Sequence, residues 1–197
     1  MRAIDDNLQA VQGCIARAVA AAGREPRSVT LLAVSKTHPA ALVEQALAAG
    51  QRAFGENYVQ EALEKMDALA GGHASGAVAW HLIGPLQSNK TRVVAERFDW
   101  VHGVESEKVA RRLSAQRPAG KAPLNVLIQV NVSGEASKSG VAPADVPSLA
   151  LAISNMPRLK LRGLMAIPEP SPSLEVRRAS FRKLFALFEQ LNTAHPD

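Results

Sequence analysis

Val29-Thr30-Leu31-Leu32-Ala33-Val34-Ser35-Lys36 is a short apolar run with polar residues on both sides, and its coupling to the helical pattern next in the chain decides the fold. The run is too short for a core helix and reads as a strand. Pro39 then opens a helix that carries Val43, Ala46 and Leu47 on one face, and Gly50 closes it. The same unit recurs along the chain. Ala53-Phe54-Gly55 precedes a helix through Val59, Leu63 and Met66, and Ala79 to Ile83 precedes a helix from Lys90 to Phe98. Trp100-Val101-His102 precedes a helix carrying Val109 and Leu113, for which Ser106 is the N-cap. Leu124 to Val132 leads to a helix around Leu149 to Ile153. Leu159 to Ile167 leads to one with Phe181, Leu184, Phe185, Phe188 and Leu191 at helical spacing. Ahead of them all, residues 4–22 form an amphipathic leading helix closed by Gly23.

Strict alternation of strand and helix implies a parallel sheet, because parallel strands need crossover connections. The strands read as apolar on both faces, as expected when helices cover one side and barrel packing fills the other. A doubly wound sheet and a (β/α)8 barrel of the TIM type both fit this pattern. No G-x-G-x-x-G follows the first strand, which counts against a dinucleotide-binding sheet. A barrel requires eight units, and the sequence reaches Asp197 after the sixth helix. The expectation is one domain over 1–197, with the barrel starting at residue 29.

Composition narrows the function classes. Of the 197 residues 47% are hydrophobic, enough for a sizeable core and too many for global disorder. No apolar run spans a membrane, and Met1-Arg2-Ala3-Ile4-Asp5-Asp6 lacks the apolar region of a signal peptide. The single Cys14 has no internal partner, which fits a reducing, cytoplasmic compartment. The net charge of +5 raises the question of nucleic acid, yet the bases are scattered and aromatics make up only 4%. A solvated surface that attracts a small anion is the better reading. No metal-ligand spacing, G-x-S-x-G or P-loop occurs.

Functional groups of such sheets gather at the carboxyl ends of the strands. Lys36 closes the first strand, Glu56 and Asn57 the second, and His81 lies in the third. His102 lies near the end of the fourth, Asn131 ends the fifth, and Met165 lies near the end of the sixth. A lysine that ends an apolar strand is expected to be partly desolvated, which favours the neutral amine that attacks an aldehyde. From position alone, a lysine snorkelling into water explains Lys36 as well. His81 beside Trp80, and His102, read equally as core histidines. Lys138, in the loop Ser137-Lys138-Ser139-Gly140, is a second amine candidate and ranks below Lys36 because the loop would be solvated.

Taken together, several blocks resemble one family. They are Val34-Ser35-Lys36-Thr37, Phe54-Gly55-Glu56-Asn57-Tyr58-Val59-Gln60-Glu61 and Trp80-His81-Leu82-Ile83-Gly84-Pro85-Leu86-Gln87-Ser88-Asn89-Lys90. Gln129-Val130-Asn131-Val132, Ser137-Lys138-Ser139-Gly140 and Leu161 to Pro168 come after them in the same order. The sequence resembles the pyridoxal phosphate homeostasis proteins, relatives of the barrel domain of bacterial alanine racemase. The resemblance implies an alanine-racemase-type barrel that carries pyridoxal 5'-phosphate as an aldimine on Lys36, with Asn57, His81 and Met165 near the cofactor ring. It implies a non-enzymatic role in intracellular vitamin B6 and amino-acid homeostasis. It also implies two further strands that cradle the cofactor's phosphate, and this sequence contains neither. The alternative is a weakly active amino-acid racemase, but the related racemase takes an essential tyrosine from a second domain, for which this chain has no room. The expected partner is a small-molecule cofactor on a monomer, with neither nucleic acid nor membrane.

Overall fold

The structure is a computed structural model that describes residues 4–71, 78–134, 139–168 and 170–194. Strands and helices alternate after the leading helix α1 (Ile4–Ala21). In order they are β1 (Ala33–Val34), α2 (Ala40–Ala48), β2 (Ala53–Glu56), α3 (Val59–Leu69), β3 (Ala79–Leu82) and α4 (Thr91–Arg97). Then come β4 (Trp100–Val104), α5 (Glu107–Gln116), β5 (Leu124–Gln129), α6 (Val146–Ser154), β6 (Leu159–Met165) and α7 (Leu174–Ala194). The strands form one sheet in chain order, β1 to β6. Pairing is parallel between β1 and β2, between β4 and β5, and between β5 and β6. The chain packs as two compact units, Met1–His81 and Leu82–Asp197.

In the first unit α1 ends where the sequence places its stop. Gly23, at φ +61°, takes the left-handed position, and the Arg24 amide reaches back to the Val19 carbonyl at 3.1 Å. Pro39 immediately precedes α2, and Val43, Ala46 and Leu47 are its buried face. One strand is much shorter than its apolar run suggests. Only Ala33 and Val34 pair as β1, and Val34 is 48% exposed. Further on, the helix expected from Lys90 starts as a 3-10 turn over Ser88–Lys90 before α4.

The second unit has the denser core. Leu124, Val126 and Ile128 of β5 are fully buried, whereas Asn125 and Leu127 are half-buried. Successive side chains of a strand point to opposite faces, so α5 and α6 cover one face of this sheet more completely than anything covers the other. Ser106 caps α5 as expected, its hydroxyl accepting from the Val109 amide at 3.4 Å.

Arg117, at the end of α5, is 4% exposed. It donates from Nη1 to the Ala95 and Phe98 carbonyls, each at 2.8 Å, and from Nε to the Ala122 carbonyl at 2.9 Å. These bonds tie the end of α4 and the loop before β5 to α5. Replacing Arg117 with Met leaves three carbonyls without their donor, so the free energy of unfolding should drop by about 3 kcal/mol. Urea denaturation of the two proteins checks this.

Candidate functional site

The carboxyl ends of β1 and β2 lie side by side in register, with Ala33 opposite Phe54 and Val34 opposite Gly55. The Ser35 amide continues the ladder to the Gly55 carbonyl at 3.0 Å. Beyond Ser35 the chain leaves the sheet in a tight turn, which the His38 amide closes on the Ser35 carbonyl at 3.1 Å. Lys36 stands in that turn and is exposed. The expected desolvation of Lys36 is therefore corrected. The ladder ends with the Ser35 amide, so Lys36 is a turn residue beyond the sheet.

The buried lysine of this site is Lys65 on α3, 4% exposed. Its Nζ lies 2.7 Å from Glu56 Oε1, 2.6 Å from Glu61 Oε1 and 2.6 Å from the Ser35 carbonyl. Glu56 ends β2 and has no exposure, and Ser35 Oγ donates to its Oε1 at 2.6 Å. Hydrogen bonding from Lys65 holds the Glu61 carboxyl below its ordinary range against the opposing effect of burial, helped by the Thr37 amide. Sequence reasoning singled out neither Lys65 nor Glu61. The signal was their spacing of four on one helix, which also describes any ordinary surface pair.

Of the other residues expected at the site, Asn57 directly follows β2 and is half-buried, and its Oδ1 is buried with no hydrogen-bond partner among the described residues. Glu56 Oε2 is buried and unpartnered in the same way. His81 lies within β3 and is half-buried. Met165, in the second unit, ends β6 opposite Gln129, and its carbonyl accepts from the Val130 amide at 2.8 Å. Ser137 and Lys138 lie outside the described residues. Gly140 does not, and its loop is tied to the end of β5. The Val141 amide donates to the Gln129 carbonyl, the Asn131 amide to the Val141 carbonyl, both at 2.9 Å, and the Gly140 amide to Glu105 at 3.0 Å.

A broad apolar groove of the first unit, about 610 Å³, lies elsewhere, between α1 and the residues that lead into β1 and β2. It is lined by Ile15, Val19, Val29 and Leu31 and by no lysine, cysteine or histidine. Among the described residues no group of His, Cys, Asp and Glu could hold a metal ion. At the other end of the strands an exposed primary amine follows β1 on a pinned turn, and Glu56 and Asn57 end the neighbouring strand β2. That arrangement suits a carbonyl compound with polar substituents, and it defines a parallel α/β protein that presents a lysine at the end of its first strand.

The chain belongs to the family of the alanine racemase N-terminal domain, whose model matches residues 3–197, and within it to the pyridoxal phosphate homeostasis proteins. It is 57% identical over 192 residues to the pyridoxal phosphate homeostasis protein of Pseudomonas aeruginosa, covering 98% of this chain and 82% of that one. To the protein of the same name from Vibrio cholerae it is 53% identical, covering 100% and 83%. Among solved structures it resembles PipY of Synechococcus elongatus. The form without pyridoxal phosphate is 38% identical with a TM-score of 0.80, and the form with it bound is 35% identical with a TM-score of 0.77. Each covers 91% of this chain and 82% of PipY. Alanine racemase from Corynebacterium glutamicum, at 19% identity and a TM-score of 0.60, covers 84% of this chain and 47% of its own; that likeness is one of fold alone. The fold is thus the TIM-type barrel of the alanine racemase N-terminal domain.

Two residues of the second unit give testable outcomes. Gly140 has φ +116°, and a Cβ there would lie 2.8 Å from the Asn131 nitrogen and 2.9 Å from the Val130 carbonyl carbon. Gly140→Ala should cost at least roughly 1–3 kcal/mol in denaturant unfolding. His102 packs edge-on against Trp100 at 6.1 Å, and burial lowers its pKa to about 4. The folded pKa lies below the ordinary value near 6.5, so the unfolded chain takes up a proton first. Stability from this group is intact above about pH 6.5 and is lost as the pH falls toward 4, by roughly 1–3 kcal/mol once solvent screening is allowed for. The difference in unfolding free energy between wild type and His102→Asn, measured across that window, should shrink accordingly.

Proposed function

We propose that this chain is a pyridoxal 5'-phosphate-binding protein of vitamin B6 and amino-acid homeostasis, with Lys36 as the attachment residue. Asn57, His81 and Met165 are proposed to line the cofactor. One observation carries the reading. Lys36 is an exposed amine at the carboxyl end of the first strand, in a chain 35% identical to a protein whose structure has pyridoxal phosphate bound. The names of the relatives at 57% and 53% identity point to the same cofactor.

The residues present fit the group. Pyridoxal phosphate supplies an electrophilic aldehyde on an aromatic ring with hydroxyl and phosphate substituents. Lys36 offers the primary amine for that aldehyde, and the turn leaves it accessible. Asn57, half-buried directly after β2, offers its amide to a ligand's polar groups, whereas Glu56 has no exposure and serves the turn. His81 and Met165 would give the ring an apolar and polarisable edge.

The relatives are named for homeostasis and not for turnover, and the proposed role is likewise non-catalytic. The racemase likeness is one of fold and brings no activity with it. We place the protein in the cytoplasm, a reading supported by its lone cysteine, and take it to act as a monomer; among the described residues no helix is long and apolar enough to cross a membrane.

Added pyridoxal phosphate should give the purified protein a near-visible absorbance band. Borohydride reduction should then fix one cofactor on the peptide containing Lys36, read by mass analysis. Lys36→Ala should abolish both signals. A colourless wild type, or an unchanged adduct in Lys36→Ala, would overturn the proposal.

A further inference from the structure

Lys36 is flanked by two peptide groups, and one buried cluster holds both. Lys65 directs three hydrogen bonds inward, to the Ser35 carbonyl at 2.6 Å, to Glu56 Oε1 at 2.7 Å and to Glu61 Oε1 at 2.6 Å. An ammonium has three N–H donors, so none is left over. Glu61 Oε1 also accepts from the Thr37 amide at 2.5 Å. The residue before Lys36 is thus held through its carbonyl and the residue after it through its amide. Both bonds lead to side chains of α3.

The backbone adds a second, independent sign. Thr37 has φ +64°, and it is one of two described non-glycine residues at positive φ. A β-branched residue enters that region only at a cost, commonly about 1–3 kcal/mol, and stays there only if its surroundings hold it. The bond from its amide to Glu61 is such a hold.

We infer that Lys65, with Glu56 and Glu61, is the positioning device for Lys36. It fixes the turn on both sides of the lysine, so the amine leaves the strand end in one direction. Because its own donors are all engaged and its side chain is 5% exposed, Lys65 is withheld from an aldehyde that Lys36 can reach. The inference deepens the proposed function and rests on Lys36 as the attachment residue.

The test uses the full chain and Glu61→Ala, which removes the acceptor of the Thr37 amide, with Glu61→Gln as the conservative variant that keeps an oxygen there. In wild type the Thr37 amide should exchange with solvent deuterium about tenfold or more slowly than an open turn. Glu61→Ala should release it while the α2 amides of Ala46 and Leu47 in the same unit keep their protection, and Glu61→Gln should restore most of it. The rate at which borohydride traps pyridoxal phosphate on Lys36 should fall about tenfold in Glu61→Ala and recover in Glu61→Gln, with no adduct on Lys65 in wild type. An unprotected Thr37 amide in wild type overturns the inference without recourse to any variant. So does Glu61→Ala that releases the amide yet traps cofactor at the wild-type rate; in that case Lys36 keeps its role and only the clamp is lost. Trapping of wild type at another lysine removes the attachment reading and this inference together.

Discussion

A lysine ammonium taken out of water must find an acceptor for each of its three protons, and Lys65 finds them on three different segments. One lies on the strand end before Lys36, one ends β2 and one is on its own helix. Removing a single partner from such a cluster strands the others as uncompensated buried charge, typically a loss of about 3–5 kcal/mol. The turn at Lys36, the end of β2 and the first half of α3 therefore hold their relative positions together. Apolar residues of similar volume would pack as well, but would leave the amide of Thr37 without its acceptor and the carbonyl of Ser35 with the His38 amide alone.

The same end of the unit carries its unfinished hydrogen bonding. Glu56 Oε2 and Asn57 Oδ1 are both buried and both lack a donor among the described residues. Buried polar atoms are nearly always partnered, so two neighbouring exceptions stand out in this unit. In the second unit Gln116 Oε1 is likewise buried without a partner among the described residues, while another buried polar group is fully engaged. Arg117 is buried too, yet its guanidinium meets three carbonyls that would otherwise be bare. On β6, Arg162 lies over the Trp100 ring at 5.8 Å and donates to Asn125 at 2.7 Å, a contact that links β4, β5 and β6 on the half-buried face.

Much of this fold was readable one residue at a time. The recurring strand–helix unit, the Gly23 stop, the Pro39 start and the Ser106 cap all come from local rules, and the structure has them where those rules put them. Local rules fail at β1. Val29 to Val34 is apolar enough for a full strand, but pairing is decided by the partner. β2 begins at Ala53, and the register reaches only Ala33 and Val34. For the same reason the sequence misjudged Lys36. A lysine that ends an apolar run is buried only if pairing reaches that far, and the ladder stops before Lys36.

The sequence by itself determined the alternating architecture, the family and the identity of the lysine proposed to take the cofactor. Each of these is written in short-range pattern or in blocks of consecutive residues. Tertiary structure alone decided which lysine is buried. Lys65 sits on an amphipathic helix at a spacing from Glu61 that usually means a solvated surface pair, and only the approach of Glu56 and Ser35 from other segments turns it into an interior charge. Burial depends on what lies on the far side of a residue, and that is set by parts of the chain up to thirty positions away.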